Sequence, residues 1–196
     1  MRRIVRPRVV IMVKEPQAGR VKTRLGRDIG MTTAAWWFRH QTRRLIESLS
    51  RDKRWQLRLA VSPAPQALHS RVWPSGIPRD PQIRGDLGQR MRHILEDTPR
   101  GPVVIIGGDI PGITPAIIRD AFKVLAGKDC VFGPAEDGGY WLMGMRRGAR
   151  PLPAQLFEDV RWSCAHTLSD TLETLGGASV GFATQLRDVD TVADLP

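Results

Sequence analysis

Val103-Val104-Ile105-Ile106 restricts the fold more than any other segment: four β-branched residues in a row, stopped by Gly107-Gly108 and followed by Thr114-Pro115. A run that is apolar at every position has no solvent face. It reads as a strand buried on both sides, as in a parallel sheet packed between helices. Thr114 can cap the next helix and Pro115 take its first position, where a missing N–H costs nothing, with the helix reaching about Leu125. The same order recurs along the chain. Val9–Val13 precedes a Pro/Gly loop and a helix capped by Thr32 or Thr33 that ends near Leu49. Leu57–Val61 stops at Ser62-Pro63-Ala64-Pro65, the Pro-rich stretch Ala67–Pro81 has no clear period, and a helix over Leu87–Leu95 opens after Gly85-Asp86. Val131-Phe132 and Tyr140–Met145 flank Asp137-Gly138-Gly139, either paired across that turn or in separate parts of the sheet. Ser163 can cap a helix that Gly176-Gly177 end after Leu175, and Val180–Ala183 is a late strand. Alternating strands and helices imply right-handed crossovers and a mostly parallel sheet covered on both faces. With no repeat or linker in sight, residues 1–196 read as one α/β domain.

Charge narrows the partners. The chain has 196 residues and a formal net charge of +10. Residues 1–58 hold 16 Lys/Arg against 4 Asp/Glu, a net of +12, and the remainder holds 14 against 16, a net of −2. The basic part can attract a polyanion or a nucleotide phosphate. A nucleic-acid-binding helix can be drawn from Arg39, Arg43 and Arg44, but Leu45 and Leu49 suit an ordinary amphipathic surface helix, and no nucleic-acid partner is expected. Cys130 and Cys164 form no CxxC pair, the four His have no zinc spacing, and neither GxSxG nor GxGxxG occurs. The apolar run near the N-terminus is too short for a signal-peptide core or a membrane span, which points to the cytoplasm. The aromatic content leaves room for a homodimer.

Ligands of open α/β sheets sit outside the carboxyl ends of the strands, and four groups of polar residues fall at such ends. Lys14, Gly19, Arg20, Lys22 and Arg24 follow the first strand; glycine admits backbone N–H groups to an anion and the cations neutralise it. A solvated basic turn is the plain alternative. Gly108-Asp109 follows Val103–Ile106, offering a carboxylate to a hard cation, or a turn residue. Asp137, Gly138, Gly139, Tyr140 and Trp141 suit close substrate approach and ring stacking, although Asp-Gly also makes a plain hairpin turn. Asp188-Val189-Asp190 puts two carboxylates on one side of an extended segment, able to complete a metal site with Asp109.

Six ordered motifs carry a resemblance. They are Lys14-x-Pro16-x-x-Gly19-x-x-Lys22-Thr23-Arg24-Leu25, Gly85-Asp86-Leu87-Gly88-x-Arg90-Met91, Gly108-Asp109-x-Pro111-x-x-Thr114, Gly133-Pro134-x-x-Asp137-Gly138-Gly139-Tyr140, Trp162-Ser163 and Asp188-x-Asp190-Thr191. Together they resemble a bacterial family of type-A glycosyltransferase-like proteins, first described as a domain of unknown function. The chain is more distantly similar to molybdenum-cofactor and phospholactate guanylyltransferases. It departs from the pattern at Gly108, where the family usually has Ser, and at Val192-Ala193, where Pro-Glu is usual. The resemblance implies a Rossmann-like three-layer α/β/α sandwich of the nucleotide-diphospho-sugar transferase type. It also implies a metal-dependent transferase acting on a nucleotide-sugar donor and a small-molecule acceptor, with nucleotidyl transfer as the alternative. Lys14, Gly19, Lys22, Arg24 and Gly108 would hold the nucleotide. Asp109 would carry Mg²⁺ or Mn²⁺, with Asp190 ahead of Asp188 as second ligand. Asp137, Gly138, Gly139 and Tyr140 would line the substrate, and Asp109, Asp137 and Lys22 would serve catalysis.

Overall fold

The computed structural model describes residues 6–148 and 151–195. The basic residues at the extreme N-terminus, Arg2 and Arg3, lie outside them. Seven strands form one sheet in the order β3-β2-β1-β4-β6-β5-β7. They are β1 (Arg8–Lys14), β2 (Gln56–Ser62), β3 (Arg79–Pro81), β4 (Gly101–Gly107), β5 (Cys130–Pro134), β6 (Tyr140–Arg147) and β7 (Val180–Phe182). Every neighbouring pair is parallel except those made by β6, which runs antiparallel to both β4 and β5. The segments flanking Asp137-Gly138-Gly139 therefore do pair across their turn, and the returning strand wedges between β5 and β4.

Alternation along each strand builds the two faces. Val9, Ile11 and Val13 of β1 share a core with Val104 and Ile106 of β4, and with helices α2 (Met31–Ser50) and α5 (Pro115–Ala126) through Leu45, Ile46, Leu49, Ile118 and Leu125. Val10, Val103 and Ile105 point the other way. They pack with Phe132, Met143 and helix α4 (Leu87–Asp97) through Met91 and Leu95, and with Leu168 and Leu172 of α6 (Thr167–Glu173). The result is the three-layer sandwich expected, its sheet closed off from water on both sides.

Local signals explain most element ends. Thr114 caps α5 by accepting from the Ile117 amide, with Pro115 at the first position, and Asp86 and Gln89 form a reciprocal capping box at α4. Two helix starts differ from expectation. A short helix α1 (Thr23–Ile29) precedes α2, and Gly30 (φ 89°) separates them, so Thr32 and Thr33 fall within the first turn of α2 and cap nothing. Ser163 does not cap α6. Its φ of 59° is left-handed, where a cap needs extended backbone, and the helix opens later at Thr167. In the Pro-rich stretch, the four-residue helix α3 (Gln66–His69) leads to the edge strand β3.

Candidate active-site crevice

The strand order reverses between β1 and β4, which lie side by side while their following segments run to opposite halves of the sheet. Such a switch point opens a crevice at the carboxyl ends. Here it is a cavity of about 300 Å³, bordered by Lys14, Arg20, Lys22, Gln82, Arg90 and Asp109 among others. A larger hollow of about 590 Å³ is an open trough beside the second half of α2. There Asp52 and Arg54 pair with each other, and no candidate site residue borders it.

The ionic centre of the crevice is Lys22. It occupies a left-handed conformation (φ 44°, ψ 49°) at the start of α1, and its side chain is only 5% exposed. Its Nζ lies 2.8 Å from Asp109 Oδ2, 2.7 Å from Asp188 Oδ1 and 3.9 Å from Asp190 Oδ1. Arg24 pairs with Asp190 at 2.7 Å. Burial on its own would lower the Lys22 pKa, but the charges of Asp109 and Asp188 outweigh it and hold the ammonium above its ordinary value. Burial, followed by the charge of Asp109, raises the Asp188 pKa against the pull of Lys22. The two directions are compatible: three carboxylates share two cations, so surplus negative charge falls on the cluster.

A C-terminal strap delivers two of those carboxylates. Val189 is buried with Leu25 and Ala34 against α1 and α2, which turns Asp188 and Asp190 to the same side. Asp194 accepts from the Thr191 amide and hydroxyl, and burial is overcome so that its pKa falls to about 2. Asp28 accepts from the Val192 amide, tying the strap to α1. The second carboxylate nearest Asp109 and Lys22 is thus Asp188, while Asp190 is engaged by Arg24.

The remaining candidates divide. Lys14 and Gly108 border the cavity with Asp109, although a Cβ on Gly108 would come 3.2 Å from the Met12 carbonyl, so this glycine is required by loop packing as well. Gly19 is exposed, with φ 76° and open space around it. Asp137 is exposed on the β5–β6 turn, and its Oδ1 accepts from the Gly139 amide. Tyr140 and Trp141 pack beneath the turn and do not stack at its surface. Tyr140 meets Phe132 edge to face at 5.1 Å, and burial pushes its hydroxyl far above the ordinary value. Trp141 is buried and donates from Nε1 to the Thr184 carbonyl. Cys130 and Cys164 are both free.

Gln82 is the functional candidate that sequence reasoning missed. It follows β3 and is 8% exposed, and its Nε2 donates to the carbonyls of Ala60 (2.7 Å) and Val13 (3.2 Å), spanning the ends of β2 and β1. Two carbonyls fix the amide orientation, because a flipped Oε1 would face them with no proton between. Oε1 has no donor to it among the described residues, and the residue itself borders the cavity. A single polar residue after Pro81 was the available signal, and it carries no spacing.

Fold and crevice define an α/β protein of the nucleotide-diphospho-sugar transferase type. Over residues 45–164 the chain matches the family described as "Uncharacterized protein conserved in bacteria (DUF2064)", and it belongs to that family. It is similar to the crystal structure of a candidate nucleotide-diphospho-sugar transferase from Desulfovibrio desulfuricans G20, with 29% identity and a TM-score of 0.81 over 95% of this chain and 83% of that one. Rv0371C of Mycobacterium tuberculosis H37Rv, crystallised as a complex with manganese, shares the fold at 19% identity and TM-score 0.53 over 94% of this chain and 91% of its own. The bifunctional IspDF of Campylobacter jejuni shares it at 9% identity and TM-score 0.60, covering 97% of this chain and 53% of that one. No curated protein matches the chain. Among the described residues no helix is long and apolar enough to cross a membrane.

Proposed function

We propose that the chain is a metal-dependent glycosyltransferase that takes a sugar from a nucleotide-diphospho-sugar. The observation that carries the reading is the crevice itself, where Lys14, Lys22, Gln82 and Asp109 border one cavity of nucleoside size at the sheet's switch point. The name of the Desulfovibrio desulfuricans protein favours sugar transfer over nucleotidyl transfer. Lys14, Arg20, Lys22 and Arg24 hold the diphosphate by charge, and Gln82 Oε1 accepts from an N–H on the base.

The donor set suits a hard divalent cation. Three carboxylates lie within 2.7–3.9 Å of one point, now held by the Lys22 ammonium. Among the described residues no group of three or more acidic, His or Cys side chains stands at metal-ligand spacing, and the Lys22 ammonium takes up the space between these three. Asp109 and Asp188, with Asp190 beside them, would hold Mg²⁺ or Mn²⁺, which when bound neutralises the departing diphosphate. In the transfer, the anomeric carbon–phosphate oxygen bond breaks and a bond to the acceptor oxygen forms. Asp137 takes the acceptor's proton, and the nucleoside diphosphate leaves with the bond's electron pair.

Thermal-shift measurements with UDP, GDP, GTP and CTP, each with and without Mn²⁺, test the site. Stabilisation by at least one of them that requires Mn²⁺ is expected, and its absence with all four overturns the reading. Nucleoside diphosphate release from the matching sugar conjugate then supports sugar transfer. Pyrophosphate release from a triphosphate would assign nucleotidyl transfer instead.

A further inference from the structure

We infer that Lys22 is an exchangeable internal counter-ion. Its ammonium occupies the cation position among Asp109, Asp188 and Asp190, and it leaves that position when a divalent cation takes the carboxylates or a diphosphate takes the lysine. The inference rests on the transferase reading and adds a coupling between cation and phosphate binding to it.

Three observations support it. First, one ammonium lies at 2.7 and 2.8 Å from carboxylates of two segments far apart in the chain, a separation that suits a charge-assisted hydrogen bond. Second, the same lysine borders the crevice beside Lys14 and Arg20, so a ligand that enters there meets it together with two further cations. Third, a neighbouring cation is already placed on the outlying carboxylate, since Arg24 holds Asp190. Removing Lys22 from the cluster leaves three carboxylates against one exposed arginine, an excess that a divalent cation offsets.

The exchange links the two ligands. While Lys22 is held by Asp109 and Asp188, the cation position is filled and the phosphate cradle lacks its most buried cation. A cation that binds the carboxylates releases the lysine to the phosphates. By reciprocity, a phosphate that captures the lysine raises the affinity for the cation. If the lysine leaves the cluster about 1–10% of the time, cation binding to the free protein is weakened about 10- to 100-fold.

The test uses the full chain without nucleotide and reads free Mn²⁺ by its electron paramagnetic resonance signal. Lys22→Met is expected to tighten Mn²⁺ binding about 10-fold or more. Arg24→Met, which removes the same charge from an exposed neighbour, is expected to change it about threefold or less. A second measurement needs no variant. Acetylation by an N-hydroxysuccinimide ester, followed residue by residue with mass spectrometry, should leave Lys22 protected in the free protein. Saturating Mn²⁺ should expose it, while exposed Lys123 reacts equally in both conditions. If Mn²⁺ binds but Lys22 stays protected, or if Lys22→Met binds Mn²⁺ no better than Arg24→Met, the exchange is overturned and the transferase reading stands. If Mn²⁺ binds neither the wild type nor Lys22→Met, with or without nucleotide, both fall.

Discussion

Two glycine-bearing segments lie at the same edge of the sheet, the Lys14–Arg24 loop after β1 and the Pro134–Tyr140 turn between β5 and β6. Their sequences suggest the same role, close approach to a ligand, and their surroundings separate them. Around Gly19 there is open space, and the loop's charges face carboxylates and cavity. At Gly138 a Cβ would meet the Ala165 carbonyl at 2.3 Å and its Cα at 2.6 Å, while Tyr140 and Trp141 anchor the turn from below. The first glycine leaves room for something that comes and goes. The second makes room for the chain's own backbone. A glycine at a strand end is therefore evidence of close approach, but the sequence does not say by what.

This contrast is open to direct attack. The largest expected effect is at Asp109: Asp109→Ala should lower transfer about 100-fold or more and remove the Mn²⁺-dependent thermal shift with nucleotide. Its cost in stability should be about 1–2 kcal/mol in urea unfolding, because Lys22 keeps Asp188. Gly138→Ala should show the reverse, a loss of about 3 kcal/mol or more in unfolding free energy. Residual nucleotide affinity in the folded fraction should be little changed. Gly19→Ala adds a Cβ at positive φ in open space and should cost only about 1 kcal/mol, with nucleotide affinity the more sensitive readout. If Gly138→Ala weakens nucleotide binding more than Gly19→Ala does, the division of roles is wrong.

The smallest effect is in pH dependence. Lys22 has a raised pKa, so its stabilisation is complete below its ordinary value of 10.5 and is lost as pH rises through the higher folded value. Asp188, also raised, favours the fold below 3.8, and that contribution disappears as pH rises through its folded pKa. Melting curves of Asp188→Asn against wild type, taken as a function of pH, should therefore differ in slope as pH rises from 3.8, the wild type losing stability relative to the variant. A wild type that gains stability relative to the variant as pH rises above 3.8 would contradict the assigned direction.

The sequence disclosed what local chemistry encodes. Val103–Ile106 announced a buried strand, and Thr114-Pro115 and Gly85-Asp86 marked helix starts that the structure keeps. The spacing of Asp188 and Asp190 announced a shared side. Hidden were properties that depend on distant partners. The place of β6 between β4 and β5 follows from pairing with a strand more than thirty positions away in sequence register, as in Gly101↔Arg147. Helix α1 is short, contains Gly26, and has no side-chain cap to signal it. Ser163 carried the right side chain for a cap in the wrong backbone conformation. At the site, the cations after β1 and the carboxylates after β4 and β7 were each legible as separate groups. That they neutralise one another was not, because no pattern reports a contact between Lys22 and Asp188, 166 residues apart.

That separation bears on how the protein is made. The strap comes from β7, at one edge of the sheet and three places from β4, so it must travel back roughly 14 Å across the strand ends to reach Lys22. Residues 188–194 are also synthesised after every strand. A nascent chain stalled before them already holds all seven strands, but Lys22 in its Lys14–Arg24 loop has only Asp109 to face. The carboxylate cluster is completed only after the sheet, so its full set of ion pairs reports that translation has gone past β7.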